Sequence, residues 1–129
     1  MSERKSVLKD KSFAFAVRIA KVYKHLSESK KGFVLSKQLL RSRTSVGANV
    51  REANNAESTA DFIHKLSIAQ KEADETLYWL EIMILIDLLT KKEYDSLSAD
   101  AMELLKMIRS SIITLKKKRS NSLLIAHNL

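Results

Sequence analysis

The 129-residue sequence contains no cysteine, no proline and only two glycines. Without cysteine the chain forms neither disulfides nor thiolate metal sites, which suits a reducing cytosol and makes the cytoplasm its expected location. A fold with many strands needs proline and glycine at its turns, so their scarcity indicates helices. Hydrophobic residues make up 45% and charged residues 29% of the chain. We therefore expect one all-α domain built around one core.

The sequence predicts neither a targeting segment nor a membrane span. The N-terminal stretch MSERKSVLKDK has no apolar run behind its positive charges, so we do not expect a secretory signal. The most apolar stretch, residues 77–89, includes Glu81 and Asp87 and is shorter than the roughly 20 apolar residues that a bilayer requires. The sequence thus predicts no membrane span.

Charge is unevenly distributed along the chain. The formal net charge is +8, but residues 1–51 carry +10, residues 52–89 carry −6 and residues 90–129 carry +4. A basic first part beside an acidic middle predicts complementary surfaces, within the chain or between copies, with the remaining positive charge facing outward.

Apolar periodicity predicts four helices. They cover residues 9–27, 36–54, 59–89 and 91–119, and a flexible tail follows over 120–129. The spacings Ser58 to Asp61 and Thr90 to Glu93 are those of capping boxes and mark two helix starts. Because the connections are short, consecutive helices should run antiparallel in an up-down-up-down four-helix bundle.

Turn spacing also predicts which residues form the core. In the second helix they are Leu39, Val46, Val50 and Ala53; in the third, Phe62, Leu66, Ala69, Ala73, Leu80 and Ile84; in the fourth, Leu97, Ala101, Leu104, Ile108, Ile112 and Leu115. The first helix has two adjacent apolar stripes, one containing Phe13 and Val17 and the other Phe15 and Ile19.

The second helix contains a glycine that needs an explanation. Gly47 lies in its interior, where glycine costs roughly 1 kcal/mol relative to alanine. Close packing against another helix or subunit would compensate, although a tolerated glycine is the simpler alternative. A polar stripe of Arg41, Ser45, Asn49 and Glu52 runs along another side of this helix, and solvation alone could account for it.

The third helix is apolar on two sides. Beyond its core stripe it carries Ile68, Trp79, Ile82 and Ile86, bordered by Glu72 and Glu75. A second apolar face on a small protein usually marks an interface, so we expect self-association; a wide core with Trp79 partly exposed is the alternative.

These segments resemble a known family. RSRTSVGANVREA and DFIHKLSIAQKEADETLYWLEIM are similar to the bacterial four-helix bundle proteins encoded in intervening sequences of large-subunit (23S) ribosomal RNA genes, a family that includes the accessory variability determinant of diversity-generating retroelements. The matching positions are Gln38, Arg41, Ser42, Ser45, Ala48, Asn49, Glu52, Phe62, Leu66, Ala69, Glu72, Glu75, Trp79 and Leu80. Arg43 and Ala53 depart from the pattern, since a small residue and a glycine are usual there.

The resemblance implies a homopentameric ring with a basic surface. It also implies RNA or DNA as a partner, together with a reverse transcriptase or a ribosomal component. Candidate nucleic-acid contacts in this chain are Arg4, Lys5, Lys9, Lys11, Arg18, Lys21, Lys24, Lys30, Lys31, Lys37, Lys116, Lys117, Lys118 and Arg119. Such cations attract phosphates without reading sequence, although they could equally be solubilising charges. No aromatic stacking platform is evident from the sequence, so we do not expect specific reading of single strands.

Catalytic and cofactor patterns are weak. A ferritin-like di-iron centre needs two Glu-x-x-His motifs, and the sequence offers only the distant relative Asp61 to His64. Glu72 and Glu75 could act as paired carboxylates, but an ion pair with Arg41 or Arg51 is the preferred interpretation. We predict no enzyme, no cofactor and no metal. The expected function is a non-catalytic oligomeric RNA-binding module, with a structural protein-docking scaffold as the alternative.

Overall fold

The computed structural model describes residues 3–28 and 33–128, with side chains described over 7–26, 28, 37–41 and 45–127. Its described residues form four α-helices and no strands. The helices are α1 (Glu3–Ser27), α2 (Phe33–Asn54), α3 (Thr59–Leu85) and α4 (Lys91–Asn128). Neighbouring helices pack along their lengths, and α1 also contacts α4.

Side-chain caps fix the starts of α3 and α4. Ser58 has an extended backbone, and its hydroxyl accepts the Asp61 N–H at 3.0 Å. At the start of α4 the Thr90 hydroxyl accepts the Glu93 N–H at 3.1 Å, while the Glu93 carboxylate accepts the Thr90 N–H at 2.9 Å. This second pair is a complete capping box. The bond from the Thr90 backbone lowers the pKa of Glu93, because it favours the ionised carboxylate.

The third helix ends at Leu85, before the predicted end near residue 89. Asp87 takes the left-handed conformation, with φ 62°. Its N–H donates to the Ile84 carbonyl at 3.2 Å, and the Leu88 N–H donates to the Met83 carbonyl at 2.9 Å. This is a Schellman motif, which turns the chain out of the helix although the apolar sequence continues.

The core confirms most of the predicted stripes of α2, α3 and α4. Every predicted position is buried except Ile84 and Leu115, which are only partly buried. In α3 the prediction for Ile84 is wrong, because Met83 is fully buried instead. Sequence spacing also missed Leu105, whose side chain is 2% exposed. Leu105 lies in α4 next to the buried Leu104, so the buried face of α4 is wider than one residue per turn.

In α1 the stripe containing Phe15 and Ile19 faces the core. Both side chains are buried, whereas Phe13 is 57% and Val17 39% exposed. Leu8 and Leu26 extend the buried stripe towards the two ends of the helix. The second apolar stripe of α1 consequently lies on the outside.

Ion pairs between helices join residues in opposite chain order. Lys11 pairs with Glu103 and Arg18 with Asp100, so α1 and α4 run in opposite directions. In the same way Arg41 contacts Glu75 at 2.9 Å, and Glu52 contacts Lys65 at 3.0 Å between α2 and α3. Within the described residues, the start of α1 and the end of α4 therefore lie at the same end of the molecule.

The fourth helix continues far beyond its predicted end. Residues 120–128, expected to be a flexible tail, extend α4 to Asn128. The last buried residue of α4 is Ile112, and residues 116–127 are all exposed. The end of the chain is therefore a helical extension that the described core does not cover. No helix in the described parts of the chain combines enough length and apolar character to cross a membrane.

Candidate nucleic-acid interface

The exposed end of α4 begins with a run of four cations. Lys116, Lys117, Lys118 and Arg119 follow one another along consecutive positions, and all four side chains are exposed. No acidic residue follows Glu103 in the sequence. Arg109, one of the two other cations in this part of α4, lies 3.7 Å from Asp74. The four terminal cations thus project from the molecule without a nearby acid in their own helix.

Two of the predicted nucleic-acid contacts instead bind other helices. Lys11 forms its ion pair with Glu103, and Arg18 forms its pair with Asp100. Arg18 also donates from Nη2 to the Ser96 hydroxyl at 2.6 Å. Both cations therefore have acidic partners within the chain, and their role as phosphate contacts stays a prediction.

The remaining basic candidates are only partly described. Lys9 is half-buried, and Lys21, Lys24 and Lys37 are exposed. Arg4 and Lys5 lie within α1, but their side chains are outside the described residues, as is that of Arg43. Lys30 and Lys31 lie wholly outside the described residues.

A groove lies between α1 and α2. Its volume is about 350 Å³, and its walls include Lys9, Phe13, Gly47, Ala48 and Arg51. The Arg51 guanidinium carbon lies 5.9 Å from the centre of the Phe13 ring, which is within the range of a cation–π contact. An exposed aromatic ring beside cations is the feature that the sequence did not reveal.

Gly47 contributes space to this groove. A Cβ atom placed on Gly47 would lie 3.7 Å from the Ser12 carbonyl oxygen and 3.9 Å from Ala16 Cβ. Both are ordinary van der Waals distances, so α1 leaves room for a methyl group. Close packing of α1 consequently does not account for the glycine.

The polar stripe of α2 meets α3 within the same chain. Arg41 and Glu52 form ion pairs across this boundary with Glu75 and Lys65. The Asn49 side-chain amide donates to the Ser45 carbonyl at 2.8 Å, inside α2. The predicted ion pair between Glu75 and Arg41 is therefore confirmed.

Glu72 lies one turn before Glu75 and is partly buried. Its Oε2 is buried without a hydrogen-bond partner. Burial raises the pKa of Glu72, and the neighbouring charge of Glu75 raises it further, while Arg41 and Lys71 oppose the shift. This carboxylate is thus held where its charged form is disfavoured.

The predicted second apolar face of α3 is half-buried at three of its four positions, and its role as a subunit interface stays a prediction. Ile68, Trp79 and Ile82 are only partly buried, and Trp79 packs against the core. The indole N–H of Trp79 points to Glu75 Oε1 at 3.4 Å, and its ring meets the Tyr78 ring edge-on, with 5.2 Å between centroids.

Exposed apolar side chains also lie along the last part of α3 and at its C-cap. Leu85 is 75% and Ile86 51% exposed, and Tyr78 is also exposed. Leu85 and Tyr78 were missed by sequence reasoning, and Ile86 caps the helix rather than continuing it. An apolar patch therefore remains at this end, which we call the α3 patch (Tyr78, Leu85 and Ile86).

Clusters that could hold a metal ion are absent from the described residues. Within them no group of three or more histidine, cysteine or acidic side chains comes together. His64, the histidine of the distant di-iron motif, is exposed.

Comparison with known proteins addresses the family resemblance. The family model described as 23S rRNA-intervening sequence protein matches residues 4–110. The chain belongs to this family. A crystal structure from Bacteroides thetaiotaomicron VPI-5482, described as a protein of unknown function from the S23 ribosomal protein family, superimposes with a TM-score of 0.82 at 53% identity, covering 84% of this chain and 97% of that one. No curated protein matches the chain.

The family match ends before the basic extension of α4. Residues 111–129 lie beyond the matched range, and they include all four terminal cations. Their basic character is thus a property of this chain, which the family match does not supply.

Proposed function

We propose that this protein is a non-catalytic, oligomeric RNA-binding protein that contacts phosphates through basic surfaces. The observation that carries the proposal is the end of α4, where Lys116, Lys117, Lys118 and Arg119 are exposed and no acidic residue follows Glu103. RNA is the polyanion proposed here because the family resemblance implies a nucleic-acid partner.

The cluster of Lys116, Lys117, Lys118 and Arg119 is suited to binding phosphates. Lysine and arginine side chains that neutralise phosphates release condensed counterions, so affinity falls steeply with salt and depends little on sequence. Lys9 on α1 is half-buried and is a further candidate for a phosphate contact. The proposed interface is therefore a basic surface that contacts phosphates. It is not a helix that enters a groove of the nucleic acid and reads the bases.

Assembly would multiply these contacts. We propose an up-down-up-down bundle that forms a homo-oligomeric ring of five subunits, as the family resemblance implies. Two ion pairs between α1 and α4, and two between α2 and α3, join residues in opposite chain order and so support the bundle order. The exposed α3 patch offers a subunit contact. Repeating a weak basic surface around a ring raises overall affinity through avidity.

A salt series with a matched pair of variants tests the proposal. The double variant Lys116→Gln, Lys117→Gln should bind a structured RNA more weakly than the wild type, and its log–log salt slope should fall by about 1.5. The control Lys91→Gln, Lys92→Gln removes the same charge at the start of α4, where Lys91 already pairs with Asp95. Its binding should change much less.

Two results would reject RNA binding through this end. One is absence of binding by the wild type to structured RNA at low salt. The other is an equal loss of affinity in both double variants, since total charge and not the α4 end would then govern binding. A DNA duplex of equal length shows whether RNA is preferred.

The second candidate function is a structural oligomer that docks a protein. The exposed α3 patch favours it, because apolar surface of this kind usually serves an interface. A reverse transcriptase or a ribosomal component would be the partner implied by the family resemblance. Capture of such a partner after nuclease treatment, with no RNA binding by the purified protein, would favour this function over the first.

A further inference from the structure

The groove between α1 and α2 has the chemistry of a site for one planar aromatic group. Phe13 is 57% exposed, although its neighbours Phe15 and Ile19 on the same helix are buried. The Arg51 guanidinium carbon lies 5.9 Å from the Phe13 ring centre, so a cation already borders the aromatic wall. An exposed ring beside a guanidinium is the combination that stacks unpaired bases in single-strand binding proteins.

The size of the groove fits a small occupant. Its volume of about 350 Å³ is at the lower end of the range for small-molecule sites. Gly47 and Ala48 line one wall with small side chains, which leaves space in the groove. The α1 atoms nearest to a Cβ placed on Gly47 lie at ordinary van der Waals distances. A base with its sugar is of this scale, whereas a docked helix would need a longer trough.

The charges at the groove fit a polyanion. Lys9 and Arg51 line the groove together with one acid, Glu52, and Glu52 contacts Lys65 of α3 at 3.0 Å. Cations therefore outnumber the one acid of the groove, and that acid already has a partner.

We infer that this groove binds one unpaired base of a single-stranded RNA segment, with the base stacked on Phe13 and the adjoining phosphates next to Lys9 and Arg51. The inference rests on the proposed RNA-binding function and adds a site to it. It predicts that the protein prefers RNA with unpaired bases over a sugar–phosphate chain of equal charge.

Two fluorescent probes separate stacking from charge. One is a twelve-nucleotide oligouridine, and the other is an abasic ribose–phosphate oligomer of the same length. Phe13→Ala should weaken oligouridine binding by about tenfold, which is within the range measured for one base stacked on an aromatic side chain. Abasic binding and the salt slope should stay unchanged, and Phe13→Tyr should retain oligouridine affinity.

Val17→Ala is the matched control, because Val17 is a partly exposed apolar residue one turn away on α1. Its oligouridine affinity should equal that of the wild type. Since Phe13 is largely exposed, its truncation should leave the helical circular dichroism signal intact.

Three results would overturn the inference. Equal affinity of the wild type and Phe13→Ala for oligouridine, with structured RNA still bound, rejects the groove but leaves the proposed function standing. Equal losses with both probes would mean that Phe13 acts without stacking. A lower mass of Phe13→Ala in light scattering, with unchanged RNA binding per subunit, would make the groove a contact between copies. Failure of the wild type to bind any RNA rejects the proposed function itself.

Discussion

Arg41 of α2 reaches Glu75 of α3 with 2.9 Å between Nη2 and Oε1, while Glu72, one turn earlier, keeps its Oε2 buried without a hydrogen-bond partner. The two carboxylates on one helix therefore differ in environment. Glu75 also lies 3.4 Å from the indole nitrogen of Trp79, whereas burial and the charge of Glu75 raise the pKa of Glu72.

Glu72→Gln should stabilise the protein at neutral pH. The unfolded chain loses the Glu72 proton near the ordinary carboxyl pKa of 4.5, below the raised value of the folded state. The contribution of Glu72 to the free energy of unfolding is therefore fully present below the ordinary pKa. It is lost as the pH rises through the raised pKa of the folded state. We expect a gain of about 1 kcal/mol at pH 7, the scale of one poorly satisfied buried group. The gain should shrink towards pH 4.

Urea denaturation at pH 7 and pH 4 measures this difference. Glu81→Gln is the matched control, because Glu81 is an exposed glutamate on the same helix. A change of the same size in both variants, or a loss of stability in Glu72→Gln, would contradict the burial argument.

Asp87→Gly should also raise stability. Asp87 has φ 62°, a conformation in which the Cβ atom is strained and glycine is not. The Schellman hydrogen bonds of Asp87 and Leu88 use backbone groups only, so the substitution preserves them. We expect a gain of about 0.5 to 1 kcal/mol in the free energy of unfolding.

The opposite result is expected at an ordinary helical position. Ser110→Gly, at an exposed site inside α4, should lose about 0.5 kcal/mol, because glycine there only adds backbone entropy to the unfolded state. Thermal or urea melts of the two variants give the comparison. If Asp87→Gly also lowers the free energy of unfolding, the aspartate side chain stabilises the folded state by more than the strain of its left-handed backbone destabilises it.

Local features such as helix caps could be predicted from the sequence. Which of two apolar stripes on a helix faces the core could not. Both hydroxyl caps were readable, because Ser58 and Thr90 act on residues three positions away. The end of α3 was not readable, since the left-handed Asp87 interrupts a run that stays apolar. Tail helicity was also missed, because residues 120–128 lack the periodic core stripe on which the prediction depended.

In the candidate sites, too, one contact could be predicted from the sequence and one could not. The Arg41–Glu75 pair follows from one polar stripe facing an acidic neighbour, so it was predictable. The Phe13–Arg51 contact depends on the relative placement of α1 and α2, which periodicity does not supply. Two adjacent apolar stripes on α1 were the available signal, because a single core needs only one of them.

Gly47→Ala tests whether the α2 glycine serves packing inside the chain. The Ser12 carbonyl oxygen and Ala16 Cβ lie at 3.7 and 3.9 Å from the position of an added Cβ, so the methyl group fits. Alanine should therefore stabilise the protein by about 0.5 to 1 kcal/mol in urea denaturation. The reverse change at the next residue, Ala48→Gly, should lose about the same amount. Loss of stability in Gly47→Ala would instead show that α1 packs too closely for a methyl group.

Leu85→Lys should dissociate the proposed oligomer. Leu85 is 75% exposed, the most exposed large apolar side chain of the described α3 residues, and it makes a cleaner test than Trp79, which packs against the core. Covering one leucine is worth roughly 1.5 to 3 kcal/mol, so a lysine in an apolar contact should weaken association at least about tenfold per interface. Ile113→Lys, at an exposed position on α4, is the control and should leave the mass unchanged. Light scattering at micromolar concentration measures the mass of each variant, and a monomeric wild type or an undiminished mass for Leu85→Lys would count against assembly through the α3 patch.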